Sequence, residues 1–228
     1  MQTVILAGGR GTRLSPVTDN MPKPMVMIGD KPFLEYLLLM LRRNSLKKIL
    51  LCIGYLGDRI EDYFGDGKRL GIEIKYSREK ELLGTAGALK LAGDLIEEEF
   101  LLLYGDSYLD IDYGSFIKFF ESQKASGCVV IYDNAMGDAG VKNNIAIEGD
   151  LIIKYDKSKD DTCLKYVEAG ASIFRKRLLN LIEANRFASL ENDIFPILIE
   201  NKELTAYQSK LRFYDIGTFG RLSNFSNL

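Results

Sequence analysis

The 228-residue sequence contains no histidine. That absence removes Ser-His-Asp and Cys-His catalysis, and with them any histidine metal centre. A metal, if used, must be a hard ion held by oxygen, and proton transfer falls to carboxylates, lysine or tyrosine. Cysteine is scarce: Cys52, Cys128 and Cys163 are widely spaced and odd in number. Cys52 and Cys128 lie inside apolar runs, which reads as buried reduced thiols rather than disulfides or metal ligands. Net charge is nearly absent, 30 basic residues against 32 acidic giving −2. The chain therefore offers no global attraction for nucleic acid, and any phosphate binding must be local. Long apolar runs are missing too. The longest, Phe33 to Leu41, is too short to span a bilayer. Met1 leads directly into an apolar strand with no leader pattern ahead of it, so no membrane association is expected and the expected location is the cytoplasm.

What is present is ordinary for a globular protein: 46% hydrophobic and 27% charged residues, enough for a sizeable core. The length fits one large α/β domain or two closely packed lobes.

The most informative stretch comes first. Thr3-Val4-Ile5-Leu6 is apolar and β-branched and reads as a buried strand. It runs straight into Gly8-Gly9-Arg10-Gly11-Thr12-Arg13-Leu14. Glycine permits a tight turn at the strand's carboxyl end and lets backbone N–H groups approach a ligand. Such amides form a concavity suited to phosphate oxygens, and Arg10, Arg13 and Lys23 add positive charge. A plain strand-to-helix turn is the alternative. The dinucleotide pattern fails for want of its third glycine, and no Gly-Lys-Ser/Thr of the kinase-type loop is present.

Beyond this turn the pattern alternates. A helix is predicted from Lys31-Pro32-Phe33, with Phe33, Leu34, Leu37, Leu38 and Leu41 on one face. A strand follows at Lys48–Ile53, a helix at Asp58–Phe64, a strand at Ile72–Ser77, a helix opening at Leu83–Leu89, and a strand at Phe100–Tyr104. This succession predicts a Rossmann-like α/β fold with a mixed, mainly parallel sheet and helices on both faces. The second half reads as a helix at Ser115–Lys124, a strand at Cys128–Tyr132, a hairpin over 144–154 turning at Gly149-Asp150, a strand at Tyr166–Phe174, a helix from Leu190 capped by Ser189 and ending near Asn201, and a strand at Leu204–Gln208. Loops are expected at 133–144 and 156–165. One continuous domain over 1–228 is expected, in two halves of about 1–112 and about 113–228.

Ligands of such sheets sit outside the carboxyl ends of the strands. Asp106, after the most apolar strand, is there, and a carboxylate at that edge suits Mg²⁺ bridged to phosphate. Read by position alone, Asp106 serves equally as a turn cap, and Asp110 or Asp112 could take its place. Asp215, in Tyr214-Asp215-Ile216-Gly217-Thr218, could complete a two-carboxylate site. Lys23 is mounted rigidly between Pro22 and Pro24. Lys157 sits among other charges, where a solvated lysine is the competing reading. Gly84-Thr85-Ala86-Gly87 offers small residues either to a flat ring or to close helix packing. Glu168 and Gly170 interrupt an apolar strand, so Glu168 either faces sugar hydroxyls or faces water from an edge.

The order of these motifs resembles the sugar-1-phosphate nucleotidyltransferases across essentially the whole chain. The likeness is strongest to D-glycero-D-manno-heptose 1-phosphate guanylyltransferases and the related mannose-1-phosphate guanylyltransferases. It rests on Leu6-Ala7-Gly8-Gly9-x-Gly11-Thr12-Arg13-Leu14, Pro22-Lys23-Pro24, Leu83-Gly84-Thr85-Ala86-Gly87-Ala88, Gly105-Asp106, Asp156-Lys157, Glu168-Ala169-Gly170 and Asp215-x-Gly217-Thr218. The resemblance implies in-line attack of a sugar-1-phosphate oxygen on the α-phosphorus of a nucleoside triphosphate, with pyrophosphate leaving. It implies that Leu6, Ala7, Gly8, Gly9, Gly11 and Thr12 hold nucleotide and phosphates, that Arg13 offsets charge on pyrophosphate, and that Lys23 steadies the α-phosphate. It assigns Gly84, Thr85 and Gly87 to the nucleotide, Mg²⁺ to Asp106 and Asp215, the sugar phosphate to Lys157, and the sugar to Glu168 and Gly170. The thymidylyl- and uridylyl-transferring relatives usually carry glutamine where this chain has Glu79-Lys80-Glu81, which weighs against thymidine or uridine; GTP is what the likeness to the guanylyltransferases implies. A homo-oligomer is left open.

Overall fold

The computed structural model describes residues 1–158 and 161–226. Lys159 and Asp160, within the loop expected at 156–165, lie outside the described residues. In chain order the strands are β1 (Gln2–Ala7), β2 (Met27–Ile28), β3 (Lys31–Pro32), β4 (Lys48–Ile53), β5 (Glu73–Arg78), β6 (Glu99–Tyr104), β7 (Ser107–Tyr108), β8 (Gly127–Asp133), β9 (Ile145–Glu148), β10 (Leu151–Tyr155), β11 (Tyr166–Arg175), β12 (Leu204–Ser209) and β13 (Tyr214–Asp215). The helices are α1 (Phe33–Arg43), α2 (Gly57–Phe64), α3 (Gly84–Leu91), α4 (Tyr113–Ser122), α5 (Phe195–Glu200) and α6 (Phe219–Ser226).

Among the described residues, nine strands form one sheet in the order β5-β4-β1-β6-β11-β8-β12-β10-β9. The β5, β4, β1 and β6 strands pair in parallel. β4, β1 and β6 are almost wholly buried because both faces are covered, as parallel sheets require, whereas the edge strand β5 alternates buried and exposed positions. β11 then enters antiparallel between β6 and β8. The chain folds back so that β9 also meets β11 at Tyr166 and Ile145, curling the second half of the sheet toward closure.

Alternation along β1 divides two cores. Ile5 and Ala7 face one with α1, α2 and α4, while Val4 faces the other with α3 and α5. The α1 stripe is wholly buried at Phe33, Leu34, Leu37, Leu38 and Leu41, each such side chain contributing about 1.5–3 kcal/mol of burial. Pro32 ends β3 and immediately precedes α1, where its missing N–H costs nothing.

Three local departures from the sequence reading have physical causes. The helix predicted at 115–124 begins at Tyr113, because Asp112 caps it by accepting the Ser115 N–H at 3.1 Å. The helix from Leu190 splits into a wide π-helical turn, Leu190–Ile194, and then α5. Pro196 lies at the start of α5, and its ring and missing N–H break the α ladder behind it. The glycine turn leads not into an α-helix but into a single 3₁₀ turn, Thr12–Leu14. The predicted hairpin forms, with Glu148 opposite Leu151 and Gly149 at φ +58°.

Candidate active site

The parallel strands end on a cleft of about 340 Å³. Its walls include Leu6, Ala7, Gly8, Gly9, Gly11, Thr12, Arg13, Lys23, Gly84, Thr85 and Asp106, all singled out in the sequence. Glu79, Cys52, Leu82 and Tyr104 join them. The glycines fit through close approach. Gly11 sits at φ +65°, and a Cβ there would lie 2.9 Å from Lys23 Cβ. Gly105 donates its N–H to the Leu6 carbonyl at 2.8 Å, and a Cβ would meet that same oxygen at 2.9 Å. The ends of β1 and β6 are thereby clamped together, and Asp106 emerges beside the glycine turn.

Lys23 is 7% exposed, and Pro22 and Pro24 are buried with it. The rigid mount carries its side chain past the glycine turn, and its ammonium pairs with Asp106. Asp215 reaches the same corner through backbone pairing. It lies opposite Ser107 in the β7–β13 ribbon, and the Ile216 N–H donates to the Asp106 carbonyl at 3.0 Å. The Asp215 carboxylate binds Arg221 at 2.7 Å and the Gly217 N–H at 2.6 Å. Asp110 instead pairs with Arg43 at 3.0 Å and Asp112 caps α4, so neither competes for this corner. Among the described residues there is no cluster of three acidic or thiol side chains able to hold a metal. Asp106 lines the cleft, whereas Asp215 is tied to it through the backbone and turns its carboxylate to Arg221 and the Gly217 N–H; a hard ion that draws its remaining ligands from phosphate and water needs only one or two carboxylates.

A second group of side chains lies next to the cleft. Lys157 is half exposed, but its ammonium sits 3.4 Å from Glu168 and 3.4 Å from Glu191. Glu168 is buried in the sheet interior rather than facing water from an edge. The Tyr155 hydroxyl donates to its Oε2 at 2.5 Å, while its Oε1 is buried without a partner among the described residues. Burial, reinforced by Glu168 and Glu191, raises the Tyr155 phenol. Despite desolvation, the same two carboxylates raise Lys157 above the ordinary lysine value. Gly170, at φ +81°, lets β11 lie against Ser107, whose Cβ would be 2.8 Å from an added methyl.

Gly87, unlike Gly84 and Thr85, is not among the residues lining the cleft. It packs under the 186–188 segment, where a Cβ would lie 2.7 Å from the Arg186 carbonyl. Gly84 lines the cleft yet also makes way for that segment, since the Ala188 carbonyl occupies the space a side chain would need. Close packing, the other role open to these glycines, accounts for Gly87. The residues that sequence reasoning missed are Glu191, Tyr155 and Arg221. Each lies far along the chain from a partner it serves or reaches it only through the fold, and only Glu191, a carboxylate just after a Ser cap, carried any local signal.

Comparison with known proteins agrees with this architecture. A family model described as nucleotidyl transferase matches residues 2–227. A D-glycero-alpha-D-manno-heptose 1-phosphate guanylyltransferase from Campylobacter jejuni is 40% identical over 158 residues, covering 69% of this chain and 68% of that protein. The zebrafish (Danio rerio) mannose-1-phosphate guanylyltransferase catalytic subunit beta is 32% identical over 223 residues, 95% of this chain. The chain spans 61% of that relative's length. The crystal structure of HddC from Yersinia pseudotuberculosis complexed with GMP-PN superposes with a TM-score of 0.82 at 28% identity, covering 99% of this chain and 98% of that one. Among the described residues no helix is long and apolar enough to cross a membrane. With a matching model along nearly its full length and a parallel sheet that ends in a glycine turn, this chain belongs to the nucleotidyl transferase family.

Proposed function

We propose that this chain joins a nucleoside triphosphate, GTP by preference, to a sugar 1-phosphate of the heptose or mannose type and releases pyrophosphate. The observation that carries the reading is the shared cleft: the glycine turn, Lys23 and Asp106 line one cavity, with Asp215 tied to Asp106 through the backbone. The acceptor phosphate is already anionic, so the reaction needs no strong base, in keeping with a chain that has no histidine. What it needs is alignment and neutralisation of charge.

In this reading the backbone N–H groups of Gly8, Gly9, Gly11 and Thr12 receive the phosphates. Arg13 balances the leaving pyrophosphate, and Lys23 steadies the α-phosphate. Lys157 receives the sugar phosphate, and Glu168, with an unpartnered buried oxygen among the described residues, accepts from sugar hydroxyls. Asp106 and Asp215 would hold Mg²⁺, which when bound neutralises charge on the phosphate oxygens. The preference for guanine is supported by Glu79. A carboxylate is acceptor-only, and guanine presents two adjacent donors on its pairing edge. Glu79 lines the cleft with one oxygen on the Leu83 N–H at 2.9 Å, and burial raises its carboxyl above the ordinary value. The division into a nucleotide half, about 1–112, and a sugar half, about 113–228, belongs to the same proposal.

The test is pyrophosphate release from ATP, CTP, GTP and UTP, each with heptose, mannose and glucose 1-phosphates. GTP with heptose or mannose 1-phosphate is the expected best pair. A preference for UTP that survives Glu79→Gln overturns the base assignment. No pyrophosphate from any pair overturns the reaction itself and leaves a sugar-nucleotide-binding paralogue.

A further inference from the structure

Glu191 makes more hydrogen bonds than a residue at a helix start requires. Its side chain is 12% exposed. The Tyr104 hydroxyl donates to its Oε1 at 3.0 Å. The Thr85 and Ser189 hydroxyls donate to its Oε2 at 3.0 and 2.8 Å. Lys157 Nζ lies 3.4 Å from Oε1. Three hydroxyl donors and one cation fill a carboxylate's acceptor capacity, and against the cost of desolvation these partners hold the Glu191 carboxyl below the ordinary value.

These bonds bridge two places. Thr85 and Tyr104 line the cleft at the strand ends. Lys157 and Glu191 line a second cavity of about 350 Å³ with Tyr155, Asn192 and Pro196. The backbone reinforces the bridge: Thr85 Oγ1 also accepts the Leu190 N–H at 2.7 Å, and the Ala188 carbonyl accepts the Ala86 N–H at 2.9 Å. Glu191 is therefore fixed to the nucleotide side of the molecule by hydroxyls, while its charge reaches the lysine on the other side. Glu168 holds the same ammonium from β11.

We propose that Glu191 is the positioning residue for Lys157, pinning its ammonium in the second cavity so that an incoming sugar phosphate meets a fixed cation. This rests on the sugar-phosphate role proposed for Lys157. A flexible lysine would otherwise lose side-chain entropy each time it gripped a ligand, and a carboxylate held by three hydroxyls removes much of that loss in advance.

The test has two arms on the full chain. In the first, trace acetylation with acetic anhydride at pH 9 is read by mass spectrometry at Lys157, relative to exposed Lys118. Glu191→Gln should raise Lys157 labelling about tenfold, the equivalent of one lost charge contact. In the second, initial rates give KM for each substrate. Glu191→Gln should raise KM for the sugar 1-phosphate about tenfold while leaving KM for the triphosphate within about threefold. In the Lys157→Met background the same change should add nothing, because a residue acting through Lys157 has no further route. Glu191→Asp, which keeps the charge and withdraws it by one methylene, gives the same reading if Glu191→Gln fails to fold. Unchanged Lys157 labelling overturns the proposal, as do effects that multiply in the double variant. If the wild-type chain transfers nothing while the labelling change is observed, the proposed reaction fails and the positioning of Lys157 by Glu191 stands.

Discussion

The Lys23 ammonium rests on the Asp106 carboxylate, although 83 residues separate them in the chain. Each comes from the end of a rigid element, one from a turn flanked by prolines and one from a buried strand. Lys23→Ala and Asp106→Asn should each lower turnover by roughly 10²-fold or more, the usual effect of losing one charge-stabilising group. Steady-state rates on folded variants check this. Near-normal turnover in both removes this corner from the reaction.

Gly87 and the Arg186 carbonyl are in contact, leaving no room for a methyl group. Gly87→Ala should destabilise the fold by about 1–3 kcal/mol through overpacking. Thermal unfolding reads the loss as a lowered Tm. The segment that must shift leads into Ser189 and Glu191, so KM for the sugar 1-phosphate should rise as well.

Glu35 is buried on α1 and paired with Arg69 at 2.7 Å. The hydrogen bond from Arg69 is the largest influence and lowers the Glu35 carboxyl below its ordinary 4.5. A carboxyl depressed on folding contributes stability that is complete above its unfolded value and is lost as pH falls through the native one. Glu35→Gln should therefore cost roughly 1–2 kcal/mol at pH 7, a charge-assisted hydrogen bond with one half-exposed partner. The difference from wild type should shrink as pH drops below the ordinary carboxylate range. Urea unfolding at pH 7 and pH 3.5 measures both.

The three thiols differ sharply in access. Cys52 and Cys128 are buried, and burial pushes each thiol up to about 12, whereas Cys163 is exposed. The thiolate is the reactive form. An aromatic disulfide reagent at pH 8 should therefore titrate one thiol in the native protein and three in guanidinium. Because Cys52 lines the cleft, rapid reaction of a second thiol would show that the cleft opens far more than its packing allows.

Most strands and helices were legible in the sequence because their signals are local. The run Thr3–Leu6 and the α1 stripe place their own apolar residues, and Gly149 marks its own turn. The glycine turn and Asp106 were legible for the same reason, since a parallel sheet presents its ligands at strand ends. The split helix at Leu190 was less so, because the effect of Pro196 extends backward through a hydrogen-bond ladder.

The amino-acid order alone determined the alternation of elements, the exclusion of histidine chemistry, and the rigid mounting of Lys23 between prolines. Only the tertiary structure decided that Gly87 serves packing, that Arg221 accompanies Asp215, and that Glu191 joins Thr85 to Lys157 from distant parts of the chain. The physical reason is reach: backbone preference and periodicity act over a few neighbours, whereas a buried charge is satisfied by whichever distant donor the folded sheet brings within hydrogen-bonding distance.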